Sequence, residues 1–401
     1  MKVAIVGAGI GGLTAALACR RAGLEVALYE RVESPGEVGA GLQISPNGTK
    51  VLLALGLGPA LEAVAFRPNS VCLRLAESGR LVLEWPLGQV AEARYGAPYL
   101  QLHRADLYKL LFDAVIDRCG QDAVHLGREL AGFEDDGARV ILRFAGGGSA
   151  EADVLVGADG IHSQTRQCLL GDDRPVFTGH VAWRGVVPAD RLAHLSLDPV
   201  VTSWMAPHSH AITYFLRGGE LVNFVGIREQ GSVLAESWTG EGDTQALLRD
   251  LDSWHPTVRE IAGAIERPLR WGLFTRKPLA RWTEGRVALL GDACHPMLPY
   301  MAQGAVTAME DAWILAANLA AGDKVPLVLR RYQQLRQART ARIQRTARAN
   351  GELFHTAGQL TRLAVFGGMA LGSRMFPGLV SRRFDWIMGY DAVAAQPINP
   401  A

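Results

Sequence analysis

The chain has 401 residues, 49% of them hydrophobic, with 41 basic and 40 acidic side chains and a formal net charge of +1. So even a balance excludes the broad electrostatic attraction of a nucleic-acid-binding protein, and the length supports a large core spread over two or three domains. No uncharged apolar run approaches the ~18 residues of a membrane span, and five scattered cysteines without a Cys-x-x-Cys pair argue against a disulfide framework or structural zinc.

The first predicted element is a strand, Val3 to Val6, running into Gly7-Ala8-Gly9-Ile10-Gly11-Gly12 and a helix from Ile10 to Arg21. In that setting Gly7 permits a tight turn, Gly9 lets the backbone approach a pyrophosphate, and Gly12 allows close helix–strand packing. A second strand, Glu25 to Tyr29, ends at Glu30, about 20 residues on, where an acid accepts bonds from an adenosine ribose; Arg31 beside it is a further expected cofactor contact. Because the first strand begins at residue 3, a cleavable leader has no room, and the cytoplasm is the expected compartment.

Further along, Pro46 opens a helix carrying Val51, Leu52 and Leu55, short strands run from Val71 to Trp85, and His103 to Asp106 open a helix over Leu107 to Val115. Between His180 and Gly272, runs such as His180 to Val187, Ala211 to Phe215 and Leu221 to Ile227 read as strands. The strand Val287 to Leu290 then enters Gly291-Asp292, a second glycine–acid corner able to hold a ribityl hydroxyl. Together the two corners outline a site for one long dinucleotide, FAD. Gly304 and Ala305 begin a buried helix to Ala320, whose amides and positive dipole end would face the flavin pyrimidine edge.

The expected fold is α/β: a Rossmann-like FAD-binding domain (residues 1–70, 101–179 and 276–325) interleaved with a sheet-rich substrate domain (71–100 and 180–275), plus a C-terminal helical region (326–401). Domains that cross over more than once share a cleft, the usual place for a small-molecule site. Arg330, Arg331, Arg336, Arg339, Arg342, Arg345 and Arg348 read as the solvated face of a long helix. Leu360 to Leu379 reads as packing or a homodimer contact. His162 and His295 are expected to make structural hydrogen bonds, with no metal site, and Cys294 to be a buried apolar filler. Arg184 and Arg217 are expected at the surface or in turns, with carboxylate binding as the alternative. His210, beside Pro207-His208-Ser209, reads from its neighbours alone as part of an exposed turn.

Three motifs in order give the chain a family likeness: Gly7-x-Gly9-x-x-Gly12; Gly157-Ala158-Asp159-Gly160-Ile161-His162-Ser163 with Arg166; and Gly291-Asp292-Ala293-Cys294-His295-Pro296. With them it resembles the single-component FAD-dependent aromatic hydroxylases built on the p-hydroxybenzoate hydroxylase fold. The resemblance implies NADH or NADPH as reductant, O2 as co-substrate, a small aromatic substrate, and attack on the ring by a flavin C4a-hydroperoxide. It places Asp159 and Arg166 where FAD and the nicotinamide donor are engaged, Asp292 on the ribityl chain, and Arg104 and Pro299 beside the flavin.

Gly39-Ala40-Gly41-Leu42-Gln43, Arg94-Tyr95-Gly96-x-Pro98-Tyr99 and Leu216 to Glu220 with Asn223 are similar to the 3-hydroxybenzoate 6-hydroxylases and salicylate hydroxylases, with 6-hydroxynicotinate 3-monooxygenases nearby. That likeness puts His210 beside the substrate hydroxyl as acid–base group, with Tyr214 and Gln43 in the substrate site. Pro299 stands where the hydroxybenzoate type carries glutamine, which leaves the substrate open. Decarboxylative hydroxylation of a hydroxypyridine carboxylate is the alternative within the class; a flavin-dependent dehydrogenase or oxidase is the alternative outside it.

Overall fold

A computed structural model describes residues 1–34, 41–171, 173–231, 242–322, 324–375, 378 and 382–398. Gly39, Ala40, Pro377 and Leu379, which the motifs above include, lie outside the described residues. The chain builds a mixed α/β fold around two main sheets. The first has six strands in the order Thr283–Glu284, Val287–Leu289, Val154–Gly157, Lys2–Val6, Glu25–Tyr29, Val124–His125, all parallel except the first pair. Its central strands are apolar on both faces because helices cover one side and a three-stranded antiparallel sheet (Leu130–Asp135, Val140–Phe144, Ser149–Ala152) packs on the other.

The helix Ile10–Arg21 is rich in alanine, which lets it lie close against the buried helix Gly304–Ala320. It stops at Ala22-Gly23, where Gly23 takes φ +75° and Leu24 N–H reaches back to the Cys19 carbonyl. The helix foreseen over Leu107 to Val115 spans Arg104–Cys119.

The second sheet has seven strands in the order Leu269–Thr275, Val176–Pro188, Leu221–Glu229, Ser209–Leu216, Val201–Ala206, Ser70–Leu75, Leu81–Pro86. One face carries the helices Thr244–Asp250, capped by Asp243, and Pro256–Gly263, which opens on its proline. On the other face Phe366 of the helix Gln359–Met375 is buried against the sheet, while Leu360, Leu363 and Leu371 of the same helix are exposed. A two-stranded ribbon, Gly41–Ile44 with Leu100–His103, is tied to the sheet where Asn223 Oδ1 accepts from Gly41 N–H at 2.8 Å. Among the described residues no helix is long and apolar enough to cross a membrane.

The basic run lies on the 30-residue helix Val325–Phe354, and its expected solvated face is corrected in part. Arg336 is fully buried: its Nε donates to Asp311 at 2.7 Å and its Nη2 to Glu310 at 2.6 Å. Arg339 binds both oxygens of Glu310 and stacks 3.9 Å over the Tyr390 ring. Asn47, at the start of the helix Pro46–Ala54, completes the cluster at 2.7 Å from Glu310. The charges face inward because Glu310-Asp311 interrupts an otherwise apolar buried helix, and buried carboxylates require counter-charges. Arg330, Arg331, Arg342, Arg345 and Arg348 remain exposed.

Candidate active site

The glycine loop has the geometry its spacing implies. Gly7 takes φ +101°, and a Cβ there would fall 2.5 Å from the Ala158 carbonyl oxygen; a Cβ on Gly12 would fall 1.9 Å from the Gly7 oxygen. Gly9 differs, since a Cβ there would meet no atom of the described residues within 4 Å. It caps a helix whose first amides have no side-chain cap among the described residues, an electropositive approach suited to phosphate. Glu30 braces this loop: its Oε2 accepts from Ala8 N–H at 2.8 Å and its Oε1 from Val32 N–H at 3.0 Å. Arg31 beside it is exposed.

Across the molecule, a cavity of about 190 Å³ lies between the two sheets. One wall is built from Arg104, Asp292, Pro299, Gly304 and Ala305. Asp292 opens into this space, and a Cβ on Gly304 would lie 4.0 Å from its Oδ1. Enclosure raises the Asp292 carboxyl above its ordinary value, while His295 and Arg104 pull it down. Ala302 holds a left-handed φ of +51°, a non-glycine strain that turns the chain into the uncapped N-terminus at Gly304. An open glycine loop, two uncapped helix ends and a carboxylate facing the cleft together fit an elongated dinucleotide with a pyrophosphate and a polyol chain.

The middle motif works from behind. Asp159 accepts from Ser163 Oγ, from Thr165 N–H at 2.9 Å and from Thr165 Oγ1 at 3.0 Å, and Ser163 caps the helix Gln164–Leu170. Burial raises the Asp159 carboxyl although these bonds oppose it. Arg166 donates to the Ala293 carbonyl at 3.1 Å and pairs with Asp173, so the motif ties its own helix to the Asp292 corner. Neither Asp159 nor Arg166 lines the cavity.

The opposite wall carries Gln43, Arg184, Tyr214, Ile227 and Trp271. Tyr214 and Gln43 are brought together here, and Gln43 also accepts from Tyr99 Oη at 2.8 Å, a partner the sequence did not single out for the site. Burial raises the Tyr214 phenol well above its usual value, with Arg184 and Gln43 opposing it. Arg184 corrects the expectation of a surface or turn role. It is partly buried in the cavity wall, its guanidinium 5.0 Å over the Trp271 ring, and burial lowers it to about 10, so it remains a cation at neutrality. Arg217 does occupy a turn, in a bidentate pair with Asp106.

His210 is also not in an exposed turn. The strand begins at Ser209 rather than at Ala211, which turns the imidazole inward and buries it completely. It sits on the same strand face as Ile212 and Tyr214, both of which line the cavity, but does not itself line the space; its ring lies 5.4 Å from that of Tyr300. Its Nδ1 is 2.8 Å from His355 Nε2, and burial followed by its histidine neighbours pushes its pKa well below the ordinary value. A larger apolar chamber of about 380 Å³ adjoins the cavity through Gln43, Ile212, Pro299 and Ala302.

Two clusters bring three metal-type donors within 4.8 Å of one another, Cys294–His295–Asp311 and His180–Glu229–His355. In each, two of the three donors are bonded to one another, His295 Nε2 with Asp311 at 2.5 Å and His355 Nδ1 with Glu229 at 3.0 Å, while His180 Nδ1 bonds Tyr300. Burial keeps the Cys294 thiol protonated, and it donates to the Gly291 carbonyl at 3.3 Å, as a structural filler does.

With this geometry in view, comparison with known proteins is direct. A family model described as FAD binding domain matches residues 1–347. A 3-amino-4-hydroxybenzoate 2-monooxygenase of Streptomyces platensis is 38% identical over 98% of this chain and 96% of its own. A 6-hydroxynicotinate 3-monooxygenase of Pseudomonas fluorescens is 36% identical over 87% and 91%, and a 3-hydroxybenzoate 6-hydroxylase of Aquipseudomonas alcaligenes 32% over 98% of each. Among solved structures, Klebsiella pneumoniae HpxO complexed with FAD and uric acid superposes with a TM-score of 0.83 at 28% identity, covering 100% of this chain and 98% of that one. The chain belongs to this family of FAD-binding aromatic-ring monooxygenases.

Proposed function

We propose that this protein hydroxylates the ring of a small phenolic carboxylate, of the hydroxybenzoate or salicylate type, using NADH or NADPH and O2. The observation that carries the reading is the cavity itself: Asp292 and the Gly304 helix end form one wall, and Tyr214 and Gln43 with the cationic Arg184 form the other. Gly7, Gly9, Gly12, Glu30, Arg104 and Asp292 would hold FAD, which supplies the reduced ring on which O2 is activated.

Arg184 would pair with the substrate carboxylate, and Tyr214 with Gln43 would hold its hydroxyl. The ring must be made electron-rich, so that hydroxyl must lose its proton. His210, neutral at physiological pH and on the same strand face as Tyr214, is the base we assign to it. Ile227 and Trp271 keep water from the reacting carbon.

The second reading, a hydroxypyridine carboxylate losing CO2 on hydroxylation, is favoured by the hydroxynicotinate relative. Oxidation of NADH and NADPH by the FAD-loaded protein, measured against 3-hydroxybenzoate, salicylate, 3-amino-4-hydroxybenzoate and 6-hydroxynicotinate with products identified by mass, separates the two.

A further inference from the structure

His210 is the inner end of a hydrogen-bonded chain that leads to the surface. Its Nδ1 meets His355 Nε2 at 2.8 Å; His355 Nδ1 meets Glu229 Oε1 at 3.0 Å; Glu229 Oε2 meets the Nδ1 of exposed His208 at 2.7 Å. The residues come from the strands Ser209–Leu216 and Leu221–Glu229, the turn before the first of these, and the end of the helix Val325–Phe354. The remaining titratable groups facing the chain are His180, whose ring centroid is 5.2 Å from that of His355, and Tyr300, bonded to His180 Nδ1. His210 Nε2, by contrast, is buried and has no hydrogen-bond partner among the described residues.

The protonation of this chain follows from its outer end. Burial alone would raise the Glu229 carboxyl, but the bonds from His208 and His355 outweigh it and hold the group below its ordinary value, an anion at neutral pH. A carboxylate only accepts, so His355 must donate from Nδ1. His355 is neutral, since burial lowers it to about 4 against the pull of Glu229, and its Nε2 is therefore bare. A bare Nε2 accepts, so His210 donates from Nδ1, and its own Nε2 carries a free lone pair. An acceptor left unpaired in a closed interior is destabilising and marks a place where a partner is missing.

We propose that Glu229 and His355 are positioning residues for His210: the carboxylate sets the tautomer of His355, and His355 sets that of His210, so that Nε2 is presented as the proton acceptor. The proposal rests on the assignment of His210 as the base. When the substrate hydroxyl proton, passed across the layer that separates His210 from the cavity, reaches Nε2, the Nδ1 proton of His210 passes to His355 Nε2, and the Nδ1 proton of His355 passes to Glu229, which exchanges with solvent. After hydroxylation the product phenolate recovers a proton along the same path, which restores both tautomers.

The test is ¹⁵N NMR of the FAD-loaded, histidine-labelled protein at pH 7, with His210→Gln and His355→Gln assigning the resonances. Protonated Nδ1 and bare Nε2 on both rings is the expected result, with the His355 tautomer shifting in Glu229→Gln. Protonated Nε2 on His210 in the unaltered protein, or tautomers untouched by Glu229→Gln, overturns the proposal. In turnover, Glu229→Gln and His355→Gln should each lower kcat about tenfold or more with KM and FAD content held. If His210→Gln abolishes hydroxylation while both of these retain full kcat, the positioning role fails and the base stands. If His210→Gln itself retains kcat, the base assignment fails, and the relay built on it fails with it, whatever the tautomers.

Discussion

Arg336 and Asp311 meet at 2.7 Å with both side chains fully buried, and Glu310 closes the same guanidinium from the other side at 2.6 Å. Because Asp311 also holds His295, three residues beyond Asp292, this pair anchors the corner that faces the cavity. Removing the guanidinium leaves Asp311 with His295, and Glu310 with Arg339 and Asn47, one buried counter-charge short, at up to about 3–5 kcal/mol. Arg336→Met should therefore lower the unfolding free energy from urea titration by an amount that size, with a lower midpoint, and Arg336→Lys should recover little, since one ammonium cannot serve two carboxylates in a fixed fork. Equal midpoints for wild type and Arg336→Met would contradict this account.

The same cluster sets the pH dependence of stability. Burial alone would raise Glu310 and Asp311, but Arg336 with Arg339 for the first, and His295 with Arg336 for the second, hold both below their ordinary values. A carboxyl lowered on folding stabilises the fold above its unfolded pKa and loses that contribution as pH falls, so stability should decline below about pH 4. His295 has the opposite sign. Burial would lower it, but the Asp311 carboxylate bonded to its Nε2 raises it above its ordinary value. Its contribution is complete below the unfolded histidine pKa and is lost as pH rises through the raised folded value. Urea midpoints from pH 3 to 9 should fall at both ends; His295→Asn should flatten the alkaline limb and, because His295 helps hold Asp311 low, weaken the acid limb in part.

Two glycines separate folding from cofactor binding. A methyl group at Gly12 would collide with the Gly7 carbonyl, whereas one at Gly9 enters open space. Gly12→Ala should lower both the stability of the apoprotein and its FAD content. Gly9→Ala should leave apoprotein stability within about 0.5 kcal/mol and lose FAD, read from flavin absorbance per protein. Full FAD content in Gly9→Ala would remove the pyrophosphate from that position.

Much of this was legible along the chain because it depends on neighbours close in sequence. The turn at Gly7, the close packing at Gly12 and the acid corner at Asp292 each follow from a few consecutive residues. What escaped depends on distant partners. Arg336 looks like any basic residue on a long helix until Glu310-Asp311, 25 residues earlier, is seen to lie in a buried helix; two adjacent acids within Val306 to Leu319 were the signal that cations had to come from elsewhere. The inward turn of His210 depended on the strand beginning two residues before the apolar run. Its link to His355 spans 145 residues, which no local pattern reports.

Arg184 offers a test of substrate charge. It is a cation in an enclosed wall, and its Nε has no hydrogen-bond partner among the described residues. Arg184→Met should raise KM for a carboxylate-bearing phenol about 10- to 100-fold, the worth of a hydrogen bond to a charged group, with FAD content unchanged. An unaltered KM would move the carboxylate to another part of the cavity.

The central claim is that the cavity between Asp292 and Tyr214 supports insertion of one oxygen atom into a phenolic ring. The direct measurement is turnover of the FAD-loaded protein under ¹⁸O2 with NADH or NADPH and the phenolic acid that most stimulates oxidation, followed by mass analysis of the product. The account predicts a ring-hydroxylated product carrying one ¹⁸O. Oxidised product without label, formed equally well when another electron acceptor replaces O2, would contradict it and identify a dehydrogenase on the same scaffold.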